Sequence, residues 1–263
     1  MRDLLNTEEN YKELLKLLKQ FISDRFKKVE KLVESEKIGI QLFPLPNSQV
    51  LKNTYSSIFQ DQINLFKTKY SIGCEIDDIK QEYADMISSM KLSWEQSSGY
   101  VEMVWMLSIG IMLNCDKKDF DVLATLVEND NPNDFLIDFL IKSKMPQWKI
   151  SSDKFKFNIP YKFTKEIIEV SNVDKKAAIN LVKKYLTNEW YRGHADCGWY
   201  NDHKSKGNMN IHKGYWSFES GALVKILGLD DTTLKGLPYY PYDMVHWSDE
   251  KSAPSKRSWT ILD

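Results

Sequence analysis

Glycine and proline are scarce in this chain, with 11 and 8 among 263 residues. An all-β protein needs turn residues between its many short strands, so this scarcity disfavours that class and suits long helices. Cysteine is scarcer still, and Cys74, Cys115 and Cys197 are widely separated. Because their number is odd and no CxxC pair occurs, they indicate neither a disulfide framework nor a zinc ribbon. We interpret them as buried free thiols in a reducing compartment.

The sequence also lacks a long hydrophobic run. Its longest apolar segment, residues 100–113, is interrupted by Glu102 and is shorter than the roughly 20 residues that span a bilayer. We expect this segment to be a central, buried helix. The first residues, MRDLLNTEEN, are charged and polar, unlike a signal peptide. These features predict a cytoplasmic protein that does not contact a membrane.

Motifs of the common nucleotide-binding and hydrolase sites are absent as well. The sequence contains no GxxxxGK[ST] phosphate loop, no GxGxxG turn and no GxSxG nucleophile elbow. Glu102 is a carboxylate in an otherwise apolar segment, where burial could shift its pKa and suit it to acid–base chemistry. A structural pairing with an arginine or a tryptophan N–H across the core is the interpretation that we favour.

All four histidines lie in the C-terminal part of the chain, in a stretch rich in tryptophan, tyrosine and glycine. They are His194, His203, His212 and His246. Together with Cys197, the first two could bind zinc on paper, and Cys197 could be a nucleophile with a histidine as its base. The spacing matches neither a zinc finger nor HExxH, and no cysteine-protease context surrounds Cys197. We therefore expect no metal, no cofactor and no catalytic residue, and assign the imidazoles to hydrogen bonds in an aromatic, polar layer.

What the sequence does contain is a helical pattern of apolar residues, which make up 42% of the chain. They recur at three- to five-residue steps. The pattern predicts helices at 8–34, 48–70, 75–91, 98–114, 117–129, 132–143, 164–170 and 174–189. We expect Pro132 in the first turn of its helix, and an edge strand or extended linker at 144–162. The predicted fold is all-α, with a helical N-terminal module (1–143) packed on a helical, aromatic-rich C-terminal module (144–263).

Charge is distributed unevenly along the chain, although the net charge is only −1. Residues 75–138 hold 4 Lys and Arg against 14 Asp and Glu, a balance of −10, while the segments before and after are mildly basic. Such a field repels nucleic acid and attracts a basic protein, unless the acidic side chains only form a solvated face. The candidate partner-binding residues are Asp77, Asp78, Glu82 and Asp85 in one predicted helix, and Asp116, Asp119, Asp121, Glu128, Asp130 and Asp134 in the next helical pair.

One C-terminal segment carries a resemblance to a known family. Residues 214–222, GYWSFESGA, resemble the GYWSFEAAA stretch of the PoNi immunity proteins, and LGLDD and PYYPYD follow at 227–231 and 238–243 as they do in that family. The opening Arg2-Asp3 and the long charged N-terminal helix are similar too. The family-motif residues are Gly214, Tyr215, Trp216, Glu219, Tyr239, Tyr240 and Pro241. Ser220-Gly221 departs from the family's alanines but keeps the side chains small, and helical spacing from Tyr215 onward predicts a closely packed helix.

The resemblance implies an all-α immunity protein that binds a PoNe-type DNase toxin and blocks its active site. Toxins of this type belong to polymorphic toxin systems, including type VI secretion. The implied protein is not an enzyme, and its partner is the toxin rather than nucleic acid. Two alternatives stay open at this point. One is an uncharacterised helical enzyme that uses Glu102 and the C-terminal histidines, and the other is a helical adaptor. Within the first hypothesis, the C-terminal aromatic layer competes with the acidic residues as the contact surface.

Overall fold

Helices dominate the computed structural model, which describes residues 1–95, 99–205, 207 and 209–252. The α-helices are α1 (Glu8–Lys37), α2 (Asn47–Ile72), α3 (Ile76–Lys80), α4 (Tyr83–Ser93), α5 (Tyr100–Met112), α6 (Lys117–Asp130), α7 (Phe135–Lys144), α8 (Phe163–Ser171), α9 (Lys175–Lys184), α10 (Phe218–Leu227) and α11 (Tyr242–Ser252). A π-helical turn, Tyr185–Trp190, continues α9, and three short 3-10 turns follow later in the chain. Since these described ranges contain no strand, the predicted all-α class is confirmed.

The two longest helices, α1 and α2, form an antiparallel hairpin. Thr7 caps α1 by accepting a hydrogen bond from the backbone N–H of Asn10 at 3.2 Å. An ion pair joins the helices halfway along, where Arg25 Nε lies 2.6 Å from Asp61 Oδ2. At the far end, Gly73 ends α2 in the left-handed conformation, with a φ of 105°. The N-terminal segment lies beside this end, because Arg2 donates its backbone N–H to Ser71.

The centre of the molecule is α5, whose residues from Met103 to Met112 are all buried. Helices α6, α7, α10 and α11 pack around it. The hydroxyl of Tyr83 on α4 donates to the backbone carbonyl of Met106 at 2.6 Å. This confirms the expectation of a buried central helix at this place in the sequence. A helix that is apolar on all sides is the type that a globular protein buries completely.

Several predicted elements have other bounds in the structure. The helix expected at 75–91 is two helices, α3 and α4, separated by a turn in which Glu82 N bonds to Ile79 O at 3.1 Å. Pro132 precedes α7 instead of lying in its first turn, since Asp134 is the N-cap. The segment 144–162 consists of turns and irregular backbone and contains no strand. Tyr215 lies before α10 in extended chain, so the helix begins three residues later than its side-chain spacing suggested.

Helices from both predicted modules contribute to one buried cluster. Leu107 of α5, Leu140 of α7 and Leu223 of α10 all belong to it and are fully buried. The division of the chain at residue 143 therefore stays a prediction. Among the described helices, none is both long and apolar enough to cross a membrane.

Candidate partner-binding surface

The acidic residues of α3 and α4 differ in how open they are. Asp78 on α3 and Asp85 on α4 are exposed. Asp77 is exposed too, but its Oδ1 accepts a hydrogen bond from Trp247 Nε1 at 3.2 Å. Glu82 is half-buried, and its Oε1 forms an ion pair with Lys69 of α2. Asp78 and Asp85 are thus the carboxylates in this group most accessible to another protein.

The acidic residues of α6 make a second exposed group. Asp116, directly before the helix, and Glu128, near its end, are exposed, while Asp119 is half-exposed. Asp121 is paired with Lys117 one turn earlier, with Nζ 2.6 Å from Oδ2. Asp130 accepts a hydrogen bond from Trp94 Nε1. A surface ion pair such as Lys117–Asp121 contributes little stability, so Asp121 can exchange its partner at small cost.

The two acidic groups lie on neighbouring helices. The side chain of Tyr83, at the start of α4, reaches the region of Cys115 just before α6. Trp94, which follows the end of α4, bonds to Asp130 at the end of α6. Helices α4 and α6 therefore run side by side in the same direction, and their outward carboxylates belong to one side of the molecule.

Asp134 differs from the other candidates because it is inside the protein. Only 1% of its surface is exposed. Its Oδ1 caps α7 by accepting from the N–H of Ile137 at 3.0 Å. Its Oδ2 accepts from the Tyr100 hydroxyl at 3.0 Å and from the N–H of Lys156 at 2.7 Å. Burial raises the pKa of this carboxyl although three donors oppose the effect. Its contacts hold α7 and the following loop together, and a partner could not reach it.

A groove beside the first acidic group was not predicted. It has a volume of about 430 Å³ and lies between α1, α2 and α4. Its lining residues are Ile22, Phe26, Tyr55, Gln62, Leu65, Glu82, Asp85, Ser88, Ser89 and Leu92. Two buried acceptors, Gln62 Oε1 and Glu82 Oε2, have no hydrogen-bond partner among the described residues. No sequence pattern indicates this groove, because its walls come from three separate helices.

The family-motif residues form a mostly buried layer. Trp216 Nε1 donates to Ser71 Oγ of α2 at 2.8 Å, and Ser71 Oγ donates to the carbonyl of Lys213 at 2.9 Å. Gly214 lies between them with a φ of 103°, and a Cβ there would collide with Ser71 Oγ. Only glycine fits a position with both constraints. The motif therefore fixes the chain before α10 against the end of α2.

Other motif residues hold the same layer together. Glu219 is fully buried and its Oε1 accepts from Tyr185 at 2.9 Å and from Ser217 at 2.8 Å, while burial raises its pKa. The Tyr240 hydroxyl donates to Asp231. Tyr239, with a φ of 70°, stacks on Tyr191 at a centroid distance of 5.5 Å. Since only Tyr239 of the motif aromatics is partly exposed, this layer offers less contact area than its composition suggests.

Each histidine lies in a hydrogen-bonded position, and His203 and His212 share one network through Tyr215 and Asp202. His194 Nε2 is 2.8 Å from the Tyr161 hydroxyl, and burial lowers the pKa of His194 to about 4, so its ring is neutral. His203 Nδ1 forms a hydrogen bond with the Tyr215 hydroxyl, and His246 Nε2 forms one with Asp231. The described part of the chain contains no three side chains of His, Cys, Asp or Glu arranged to hold a metal ion.

The two other candidates for chemistry are Cys197 and Glu102. Burial raises the pKa of the Cys197 thiol to about 11, which keeps it protonated at neutral pH. Glu102 is half-exposed and its carboxylate folds back over Gly99 at the start of α5. A glutamate in the first turn of a helix is favourable because of the exposed N–H groups there. The expected pairing across the core is thus replaced by a position at the helix start.

Comparisons with known proteins cover nearly the whole chain. The family model described as PoNe immunity protein (PoNi), N-terminal, matches residues 2–125, and that of the PoNe immunity proteins (PoNi), C-terminal, matches residues 132–244. The fold is similar to the crystal structure of protein PA2201 from Pseudomonas aeruginosa, with a TM-score of 0.66 and 17% identity. That alignment covers 96% of this chain and 93% of the other, and at this identity it establishes the fold alone. No curated protein matches the sequence.

Proposed function

The chain belongs to the family of PoNe immunity proteins, and we propose that it binds a PoNe-type DNase toxin and covers the toxin's active site. The observation that carries this proposal is the set of exposed carboxylates on α3, α4 and α6, within a segment whose charge balance is −10. A DNase holds phosphates with lysine and arginine. Carboxylates placed side by side can take up the same cationic groups and so exclude DNA.

In this proposal the protein acts by binding the toxin and not by catalysing a reaction. The side chains that could do chemistry are held in other roles: Cys197 is protonated, His194 is a neutral hydrogen-bonded ring, and Glu219 is enclosed among hydroxyl groups. We propose the cytoplasm as its compartment, since the DNA that the toxin attacks is there. Delivery of that toxin by type VI secretion is part of the same proposal.

The proposal is tested with a cognate PoNe-type DNase as the partner. Plasmid cleavage is measured while the protein is added from substoichiometric to equimolar amounts, and the mixture is analysed by size-exclusion chromatography with light scattering. We expect cleavage to stop near equimolarity together with formation of a stable complex. Unimpaired cleavage with no complex would contradict the proposal. A complex that still cleaves DNA would indicate an adaptor instead of an inhibitor.

A further inference from the structure

We propose that the groove between α1, α2 and α4 receives an arginine side chain of the toxin. This inference rests on the proposed function, since it names the place where one basic residue of that partner binds. Glu82 and Asp85 of the first acidic group line this groove, but its apolar walls and Gln62 are identified by neither the acidic pattern nor the family motif. The inference depends on the shape, polarity and charge of the groove.

The walls of the groove suit the stem of a long side chain. Phe26 of α1 and Leu92 of α4 line it and remain 39% and 53% exposed. Tyr55 of α2 provides a further ring. A volume of about 430 Å³ exceeds what one side chain needs, so entry requires no opening of the helices. Arginine packs its methylene groups on apolar surface and stacks its planar head on aromatic rings.

Two acceptors on residues of the groove have no donor among the described residues. Gln62 is only 8% exposed and its Oε1 is unpartnered in the described structure. The second carboxylate oxygen of Glu82 is likewise buried and unpartnered, although Lys69 holds the first one. A buried acceptor without a donor is costly and uncommon in folded proteins. Gln62 and Glu82 both line the same groove, so one ligand with several N–H groups could satisfy both acceptors once the two side chains turn toward it.

The charge of the groove favours a cation. Glu82 is balanced by Lys69, which leaves the exposed carboxylate of Asp85 at the rim as the net charge. A guanidinium presents five N–H donors in a plane and can reach separate acceptors at once. A lysine ammonium is a compact charge that is strongly hydrated and would satisfy fewer of them. The number of acceptors therefore points to arginine.

The test uses the whole chain and a catalytically inactive form of the same PoNe-type DNase as the probe, with the affinity measured by calorimetry. Gln62→Leu removes one buried acceptor at similar volume. We expect it to weaken toxin binding by about tenfold or more, while the melting temperature of the free protein stays the same or rises. A weaker affinity without a lower melting temperature distinguishes a binding role from a structural one, because replacing a structural glutamine would lower the melting temperature.

Two further variants test the negative charge at the groove and its open volume. Asp85→Asn should weaken binding by about tenfold, whereas Glu169→Gln, a charge-matched control on α8, should change it less than about twofold. Ser88→Trp fills the groove from α4 and should weaken binding by about a hundredfold. Thr233→Trp is the control for an added surface indole, and circular dichroism checks that each variant is folded.

The outcomes separate this inference from the proposed function. If the parent protein forms no complex, the proposed function fails. If the parent binds and Ser88→Trp binds equally well, the function stands and the groove is filled by water alone, which overturns the inference. Alanine scanning of the toxin then identifies the partner residue: coupling of Gln62→Leu to one arginine supports the inference, and coupling only to a lysine overturns the assignment to arginine.

Discussion

His212 is fully buried between two carboxylates. Its Nδ1 is 2.6 Å from Asp202 Oδ1, and its Nε2 is 3.2 Å from Asp3 Oδ2. Both ring nitrogens must donate in this geometry, so the imidazole is a cation between two anions. The Tyr11 hydroxyl also donates to Asp3, at 3.0 Å. The cluster joins the segment before α1 to the polar loops of the C-terminal half.

The His212 cluster makes stability depend on pH. Burial lowers the pKa of His212, but the hydrogen bonds and charges of Asp202 and Asp3 outweigh it, so the pKa lies above 6.5. The stabilisation is complete below the unfolded pKa and is lost as pH rises through the folded pKa. We expect His212→Gln to lower the free energy of unfolding by about 3 kcal/mol at about pH 6. The variant should also no longer lose stability as the pH rises. Urea unfolding between about pH 6 and pH 9 measures both effects, and parallel curves for parent and variant would contradict the prediction.

Asp134 provides a second prediction, which separates fold from binding. Asp134→Asn keeps the oxygen that caps α7 but turns an amide N–H₂ toward Tyr100 and Lys156, which are donors themselves. The expected loss is about 2 kcal/mol in the free energy of unfolding, with toxin affinity unchanged. Asp116→Asn is the control, because Asp116 is exposed and its side chain makes no cap hydrogen bond. A weaker complex with undiminished stability would assign Asp134 to the interface.

At the scale of elements, the spacing of apolar residues predicted where the helices lie better than where they begin and end. The apolar pattern of Ile76, Ile79 and Tyr83 is continuous, so the sequence predicted one helix where the structure has α3 and α4. The backbone at Gln81 and Glu82 is nearly helical, and it keeps all three side chains buried across the break. Only tertiary packing on α2 and α5 decides that the chain bends there. The start of α7 was misjudged because proline and Asp134 compete as start signals, and the aspartate has the side-chain oxygen that a cap needs.

Gly221 in α10 leads to the third prediction. A Cβ there would lie 2.5 Å from Met112 Sδ and 2.8 Å from Pro241 Cγ. Alanine gains up to about 1 kcal/mol in helix propensity, but overpacking costs about 1–3 kcal/mol. We therefore expect Gly221→Ala to lower the free energy of unfolding by about 1 kcal/mol. Gly198→Ala is the control, since a Cβ there meets nothing within 4 Å, and denaturant titration of both variants decides whether the close approach of α10 matters.

At the scale of the whole molecule, the sequence revealed features that are local in the chain. The acidic groups could be predicted because their residues are close neighbours in sequence, and the family motif because it consists of short continuous stretches. The groove could not, since Phe26, Gln62 and Asp85 come from three helices and no pattern distinguishes Gln62 from the other polar residues of α2. The burial of Asp134 was equally hidden, because its donors Tyr100 and Lys156 are distant in sequence.

The charge asymmetry of the molecule supports a fourth prediction, about the rate of toxin binding. Charges at an interface rim act mainly on association, and salt screens them. We expect reversal of Asp78 and Asp85 to lysine to slow association by about tenfold at low ionic strength and to reduce its salt dependence. The same reversal at Asp116 and Glu128 tests the α6 group.

The control for this charge reversal is on α8, at Glu166 and Glu169, which are exposed and lie outside the acidic block. Stopped-flow or biosensor measurements at increasing salt give the association rate of each variant. If the α8 reversal slows association as much as the other two, only the net charge of the protein matters, and the acidic side is not the face that meets the toxin. If only the α6 pair has an effect, the contact lies on α6 and away from the groove. A larger effect from Asp78 and Asp85 than from either other pair would locate the encounter at α3 and α4, because steering is strongest from charges nearest to the contact.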